Sequence, residues 1–128
     1  MILNGYNSKK PLPQFMDSAR TLSDSEIVAE YTISSFKRCV PSAIPMIAFL
    51  SGGQHDGGAT ENLNAINKRN ILPGYTSFSF GRELQQTSLK LWASGDKDLC
   101  QSALIDRAFE CGQAAIGELH EKTIQTVP

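Results

Sequence analysis

The sequence predicts an α/β fold with parallel strands. Helical and strand-like segments alternate in the order helix, strand, helix, strand, helix, helix. The run from Ile44 to Leu50 is apolar without alternation, as in a strand buried on both faces. Small residues crowd the loop after each candidate strand. With 128 residues, 41% of them apolar and 20% charged, the chain can bury the core of one domain. A complete eight-fold βα barrel needs about 250 residues, so this chain holds at most about half of one.

Residues 1–22 form the least regular segment. Met1-Ile2-Leu3 has strand character, but Pro11, Pro13 and the polar run before them favour a loop. Ser23-Asp24-Ser25-Glu26 fits a capping box, in which the Ser hydroxyl and the Glu carboxylate satisfy orphan N–H groups. Ile27, Tyr31, Ile33 or Ser34, and Phe36 then follow at loose helical spacing. Lys37 and Arg38 suit the last turn, and Pro41 and Pro45 stop the helix. After the strand of Ile44–Leu50, Gly52-Gly53 and Gly57-Gly58 precede a helix from Ala59 to Lys68. Asn70 to Gly74 is a turn, and Tyr75–Phe80 is the second strand. Gly81-Arg82 ends it, and Glu83 to Trp92 is a helix carrying Leu84, Leu89, Leu91 and Trp92. Ser94-Gly95-Asp96 breaks that helix. The last one starts near Asp98, with Asp98 and Gln101 at capping spacing, and carries a stripe of Leu104, Ala108, Cys111, Ala115 and Leu119.

Composition excludes several functions. Lys plus Arg number 12 against 13 Asp plus Glu, a net charge of -1, which gives no footprint for nucleic acid or an anionic membrane. No apolar run approaches the roughly 20 residues of a membrane span, and the N-terminus lacks a signal-peptide core. Cys39, Cys100 and Cys111 form an odd, sparse set, the pattern of a reduced, intracellular protein, and the compartment expected is the cytoplasm. With His55 and His120 they offer no metal-ligand spacing.

In parallel α/β folds, ligands gather outside the carboxyl ends of the strands. Both such ends here suit an anion. Ser51 supplies a hydroxyl, and Gly52 and Gly53 let backbone N–H groups approach without a Cβ. Ser79 supplies a second hydroxyl, Gly81 an exposed N–H, and Arg82 a planar cation for bidentate grip on phosphate. An ordinary tight turn and a solvated arginine are the competing explanation. His55 reads as a surface turn residue and His120 as solvent-facing. The cysteines, aromatics and leucines read as core, and Asn62, Asn64 and Asn67 as turn and helix-surface groups. Asp56 and Glu61 show no acid/base partner.

Three motifs in order then become specific. Phe49-Leu50-Ser51-Gly52-Gly53-Gln54, Asn62-Leu63-Asn64-Ala65-Ile66-Asn67 and Phe78-Ser79-Phe80-Gly81-Arg82-Glu83-Leu84-Gln85 closely resemble class I fructose-bisphosphate aldolases. Val28-Ala29-Glu30-Tyr31-Thr32, Val40-Pro41 and Leu89-Lys90-Leu91-Trp92 extend the likeness, with a plant-type flavour, from Glu26 to Leu119. The resemblance implies a lyase on a (βα)8 barrel that works through a Schiff base, without metal or other cofactor. Such an enzyme cleaves fructose 1,6-bisphosphate to dihydroxyacetone phosphate and glyceraldehyde 3-phosphate in glycolysis. It also implies that Ser51, Gly52, Gly53, Ser79, Gly81 and Arg82 hold a substrate phosphate.

The family's Schiff-base lysine lies in a Leu-Leu-Lys-Pro strand end. Here the matching run is Asn7-Ser8-Lys9-Lys10-Pro11, which puts Lys10 in that role, with Lys9 as its rival. Neither follows an apolar pair. Such a lysine needs burial to lower its pKa and free its amine, so in this polar run it is expected to stay protonated. The expectation is therefore a single domain, a partial (βα)8 barrel of about three βα units. It comprises an irregular segment 1–22, an aldolase-like part 23–119 and a tail 120–128. Its truncated barrel keeps the phosphate subsite, for fructose 1,6-bisphosphate or a triose phosphate, without efficient turnover. The alternative is a non-enzymatic phosphosugar-binding or assembly module, whose open sheet edges pair with another copy or a complementary barrel fragment.

Overall fold

A computed structural model describes residues 24–69 and 71–120 of the chain. Lys9, Lys10, the segment from Met1 to Leu3, Ser23, Asn70 and the tail beyond His120 lie outside the described residues.

Helix α1 spans Ser25–Cys39. Its N-cap is Asp24, whose carboxylate accepts from the Glu26 N–H at 3.0 Å. Asp24 is thus the N-cap, and the Ser23 half of the expected capping box lies outside the described residues. Val40 leaves the helix with φ −101°, ahead of Pro41. The buried face is Val28, Ala29, Thr32 and Ile33, while Ile27 and Tyr31 are exposed. Of the expected stripe, Ile33 is buried and Phe36 packs against the core, while Val28, Ala29 and Thr32 take the inward places that Ile27 and Tyr31 do not fill. The small residues Ala29 and Thr32 let α1 lie against helix α2, Gly58–Arg69.

Strands β1, Met46–Phe49, and β2, Tyr75–Phe78, form a parallel pair in the register Met46 to Tyr75 through Phe49 to Phe78. Ile47, Ala48 and Phe49 are all buried, as a strand covered on both faces requires. Both strands are shorter than expected. On the entry side Pro45 has no N–H to donate, although its carbonyl accepts from Tyr75 N at 2.9 Å. On the exit side the last ladder bond runs from Ser79 N to Phe49 O at 2.7 Å, and β1 then turns at Ser51. Gly74 admits the close approach at the start of β2, since a Cβ there would lie 2.6 Å from the Ile44 carbonyl oxygen.

The βα units among the described residues are β1–α2 and β2–α3, where α3 is Arg82–Ala93. Any strand of a third unit falls outside the described part. Gly95, at φ +91°, makes the turn into α4, Lys97–Ala115. Asp96 holds the N-cap position of that helix, without a side-chain capping bond, so Asp98 stands in the first turn and not at the cap. The core gathers Ala29, Ile33, Ile47, Phe49, Leu63, Ile66, Phe80 and Cys111, with Phe36 stacked on Phe49 at 5.6 Å.

The stripe expected on α4 is buried only in its later part. Cys111 and Ala114 are wholly buried, Ala115 and Leu119 partly so, but Leu104 and Ala108 are exposed. The reason lies in the packing. Helix α3 packs chiefly on α4, and only the C-terminal half of α4 reaches the core residues of α2 and β2. Leu89, Trp92 and Phe109, expected in the core, consequently face outward.

Cys111 is packed, as expected of it, while Cys39 is exposed and Cys100 intermediate. Burial pushes the Cys111 thiol above its ordinary value of 9.0, against the lowering influence of the Thr60 hydroxyl at 3.5 Å. A thiol-specific reagent at neutral pH is expected to label Cys111 at least about tenfold more slowly than Cys39, because only the thiolate reacts. The raised pKa also contributes stability that is intact below the unfolded value and is lost as pH climbs through the folded one. Denaturation midpoints should therefore fall from about pH 9 upward, and less so in Cys111→Ala. Labelling of Cys111 at the Cys39 rate would contradict the packing.

Candidate functional site

The carboxyl ends of β1 and β2 are drawn together by one short tie. Ser51 is 5% exposed, and its hydroxyl oxygen accepts from the Glu83 N–H of α3 at 3.3 Å. The serine after β1 thus caps the helix after β2, satisfying one N–H left orphaned at that helix start. Its own O–H proton remains available to donate. Gly52, Gly53, Ser79, Gly81 and Arg82 are exposed around this tie. Gly53 adopts φ +82°, so the turn itself asks for a residue without Cβ. Gly81 is the N-cap of α3 and, having no side chain, makes no capping bond of its own. The exposed start of the helix carries partial positive charge.

Arg82 lines a hollow of about 560 Å³ together with Gln54, His55 and Asp56 of the loop after β1 and Gln85, Gln86 and Leu89 of α3. The arginine and the post-β1 loop therefore share one concavity. The part of that loop reaching into it is 54–56, whereas Gly52 and Gly53 lie outside its lining.

Beneath the hollow is a polar network that sequence reasoning missed. Glu83, 4% exposed, accepts from Thr60 N at 3.2 Å and from the Thr60 hydroxyl at 2.7 Å, so it caps the start of α2 from α3. Arg107 of α4 pairs with Asp56 at 3.1 Å and Glu110 at 3.4 Å, and stands 3.9 Å from Glu83. Asp56 uses its other oxygen to accept from the Thr87 hydroxyl at 2.8 Å. The partner of Asp56 is thus a cation 51 residues away, a separation that carries no local signature.

The asparagines of α2 are not surface groups. Asn62 donates to Gln54 at 2.9 Å, and Gln54 in turn donates to the Leu50 carbonyl at 3.4 Å, bracing the base of the loop. Asn64 accepts from Leu119 N at 3.0 Å. Asn67 donates to the Ala114 carbonyl at 3.0 Å and bonds Thr76. Asn favours turns, yet here each satisfies buried or half-buried partners across elements. His55 is exposed, 3.9 Å from Glu61, and His120 is exposed. Among the described residues no group of three or more His, Cys, Asp or Glu is arranged to hold a metal ion. No helix among them is long and apolar enough to cross a membrane.

Residues 9–127 match the family model described as fructose-bisphosphate aldolase class-I. The chain is 46% identical over 95 residues to the cytoplasmic fructose-bisphosphate aldolase isozyme of Cicer arietinum, covering 72% of this chain and 26% of that protein. It is 43% identical over 121 residues to the cytoplasmic isozyme of Spinacia oleracea, covering 92% of this chain and 30% of that protein. Among solved structures, the fructose-bisphosphate aldolase of Plasmodium falciparum, in complex with TRAP and a small-molecule inhibitor, superposes with a TM-score of 0.72. It is 32% identical, and the match covers 79% of this chain and 30% of that one. The chain thus spans between a quarter and a third of the length of these relatives.

Proposed function

The chain belongs to the class I fructose-bisphosphate aldolase family, its fold being part of a (βα)8 barrel, and from that premise we propose that it binds a sugar phosphate at the ends of β1 and β2. The phosphoryl group sits between the amides of Gly52, Gly53 and Gly81, with the Ser51 and Ser79 hydroxyls donating and the Arg82 guanidinium pairing with its charge. The observation that supports this reading is the Ser51–Glu83 hydrogen bond at 3.3 Å, which joins the loop after β1 to the helix start after β2. A dianion between a helix start and an arginine gains from both the dipole and charge-assisted hydrogen bonds. The domain proposed for this site is the single partial barrel of residues 1–128, of which 23–119 is the aldolase-like part.

Calorimetric titration tests it. Fructose 1,6-bisphosphate and inorganic phosphate are expected to compete for one saturable site, and unphosphorylated fructose to give no heat. Equal binding of fructose would remove the phosphate from the account.

The activity proposed for the complete barrel is Schiff-base cleavage of fructose 1,6-bisphosphate in the cytoplasm, with Lys10, or Lys9 as its rival, as the amine. The polar run Asn7–Lys10 argues for a protonated, unreactive lysine in this chain, and borohydride with dihydroxyacetone phosphate is expected to leave both unmodified. A trapped adduct on either would establish catalysis instead.

A second reading, an assembly module, is favoured by one observation. Among the described residues the sheet has only two strands, so each strand has an edge without a partner strand, with Tyr75 and Met46 exposed beside it. Pairing with another copy or a complementary barrel fragment would cover those edges. Light scattering showing a folded monomer would count against self-assembly and leave phosphate binding untouched.

A further inference from the structure

We propose that Arg107 is a positioning residue for the phosphate loops, clamping the segment after β1 onto the start of α3 through Asp56 and Glu83. The inference rests on reading those loops as a phosphate site, and its geometry adds Arg107, Glu83 and Thr87 to the loop residues Ser51 and Asp56. Arg107 is on α4, outside both loops, and its side chain is largely buried at 18% exposure. One of its terminal nitrogens holds Asp56 at 3.1 Å. The other lies 3.9 Å from the Glu83 carboxylate and 3.4 Å from that of Glu110. Glu83 is fixed in turn by Thr60, and its own N–H is fixed by Ser51. Asp56 is fixed by Thr87 as well. Each end of the post-β1 loop is therefore tied to α3: Ser51 to Glu83 at one end, Asp56 to Thr87 at the other, with Arg107 spanning the two. A planar fork with several donors can serve three carboxylates at once, which a lysine ammonium cannot do with the same geometry.

A site made of two loops binds an anion well only if their spacing is held before the anion arrives, since ordering them on binding subtracts from affinity. The clamp supplies that order from behind, without touching the ligand.

The test uses the whole chain with inorganic phosphate as probe and amide hydrogen exchange as a second readout. Asp56→Ala, at a partly exposed side chain, is expected to leave the thermal midpoint nearly unchanged. It should speed exchange at residues 52–57 and at Glu83 by about tenfold, and weaken phosphate binding by a similar factor. Arg107→Ala should do the same or more, and Arg107→Lys should restore part of the protection. If Arg107→Ala does not fold, Asp56→Ala and Thr87→Val decide the matter alone. Unchanged exchange in both segments, with unchanged phosphate affinity, would overturn the clamp. Faster exchange in a protein whose wild type binds no phosphate would support the mechanical coupling and overturn the phosphate site separately.

Discussion

Arg82→Ala is expected to weaken phosphate and sugar-phosphate binding by about 1.5–3 kcal/mol, the scale of a hydrogen bond to a charged group. That is roughly a 10- to 150-fold rise in Kd. Arg82 is exposed at the mouth of the hollow it shares with Gln54, His55 and Asp56, so its side chain is not part of the core. Truncation should therefore leave folding intact and remove only the guanidinium. Arg82→Lys keeps the charge but loses the planar fork, and an intermediate loss is expected. Because the pair is exposed to solvent, the difference between wild type and Arg82→Ala should shrink as salt is raised from about 0.05 M to 0.5 M. Calorimetry checks all three points. An affinity unchanged by Arg82→Ala would remove the arginine from the site.

Glu83→Ala is expected to act on stability instead, lowering it by about 2–4 kcal/mol in urea denaturation. The carboxylate is 4% exposed and is the acceptor for both the N–H and the hydroxyl of Thr60. Removing it strands a buried N–H at the start of α2, and that alone costs about 1–3 kcal/mol. Arg107 keeps Asp56 and Glu110 as partners, which places the loss below the full penalty of an abandoned buried cation. Glu83→Gln retains one acceptor oxygen and should lose about 1 kcal/mol. Pairing Glu83→Ala with Thr60→Val in a double-mutant cycle should show a coupling of about 1–2 kcal/mol. A loss under about 0.5 kcal/mol for Glu83→Ala would mean the cap is not formed in solution.

The element order and the parallel pair were legible because they follow from local signals. The apolar run at Ile47–Phe49, the glycine turns and the helix-ending prolines each declare themselves within a few residues. The loops proposed to hold the anion could be singled out for the same reason, since Ser51-Gly52-Gly53 and Ser79-Phe80-Gly81-Arg82 are contiguous. What stayed hidden depends on contacts between distant residues. Nothing near Asp56 announces Arg107, and Glu83 reads locally as a first-turn acid when its work is to cap a different helix. The face of α4 was misjudged because periodicity tells which residues share a side. It does not tell how far along the helix a neighbour extends, so Leu104 was assigned to a core that stops near Cys111.

The central claim is that the two loops grip one phosphoryl group together. Backbone amide shifts followed during a titration with inorganic phosphate test it most directly. The account predicts that Gly52 and Gly53 after β1, and Gly81 and Arg82 after β2, shift along one saturation curve with a single Kd. Movement of one loop alone, or of the two with separate midpoints, would contradict it.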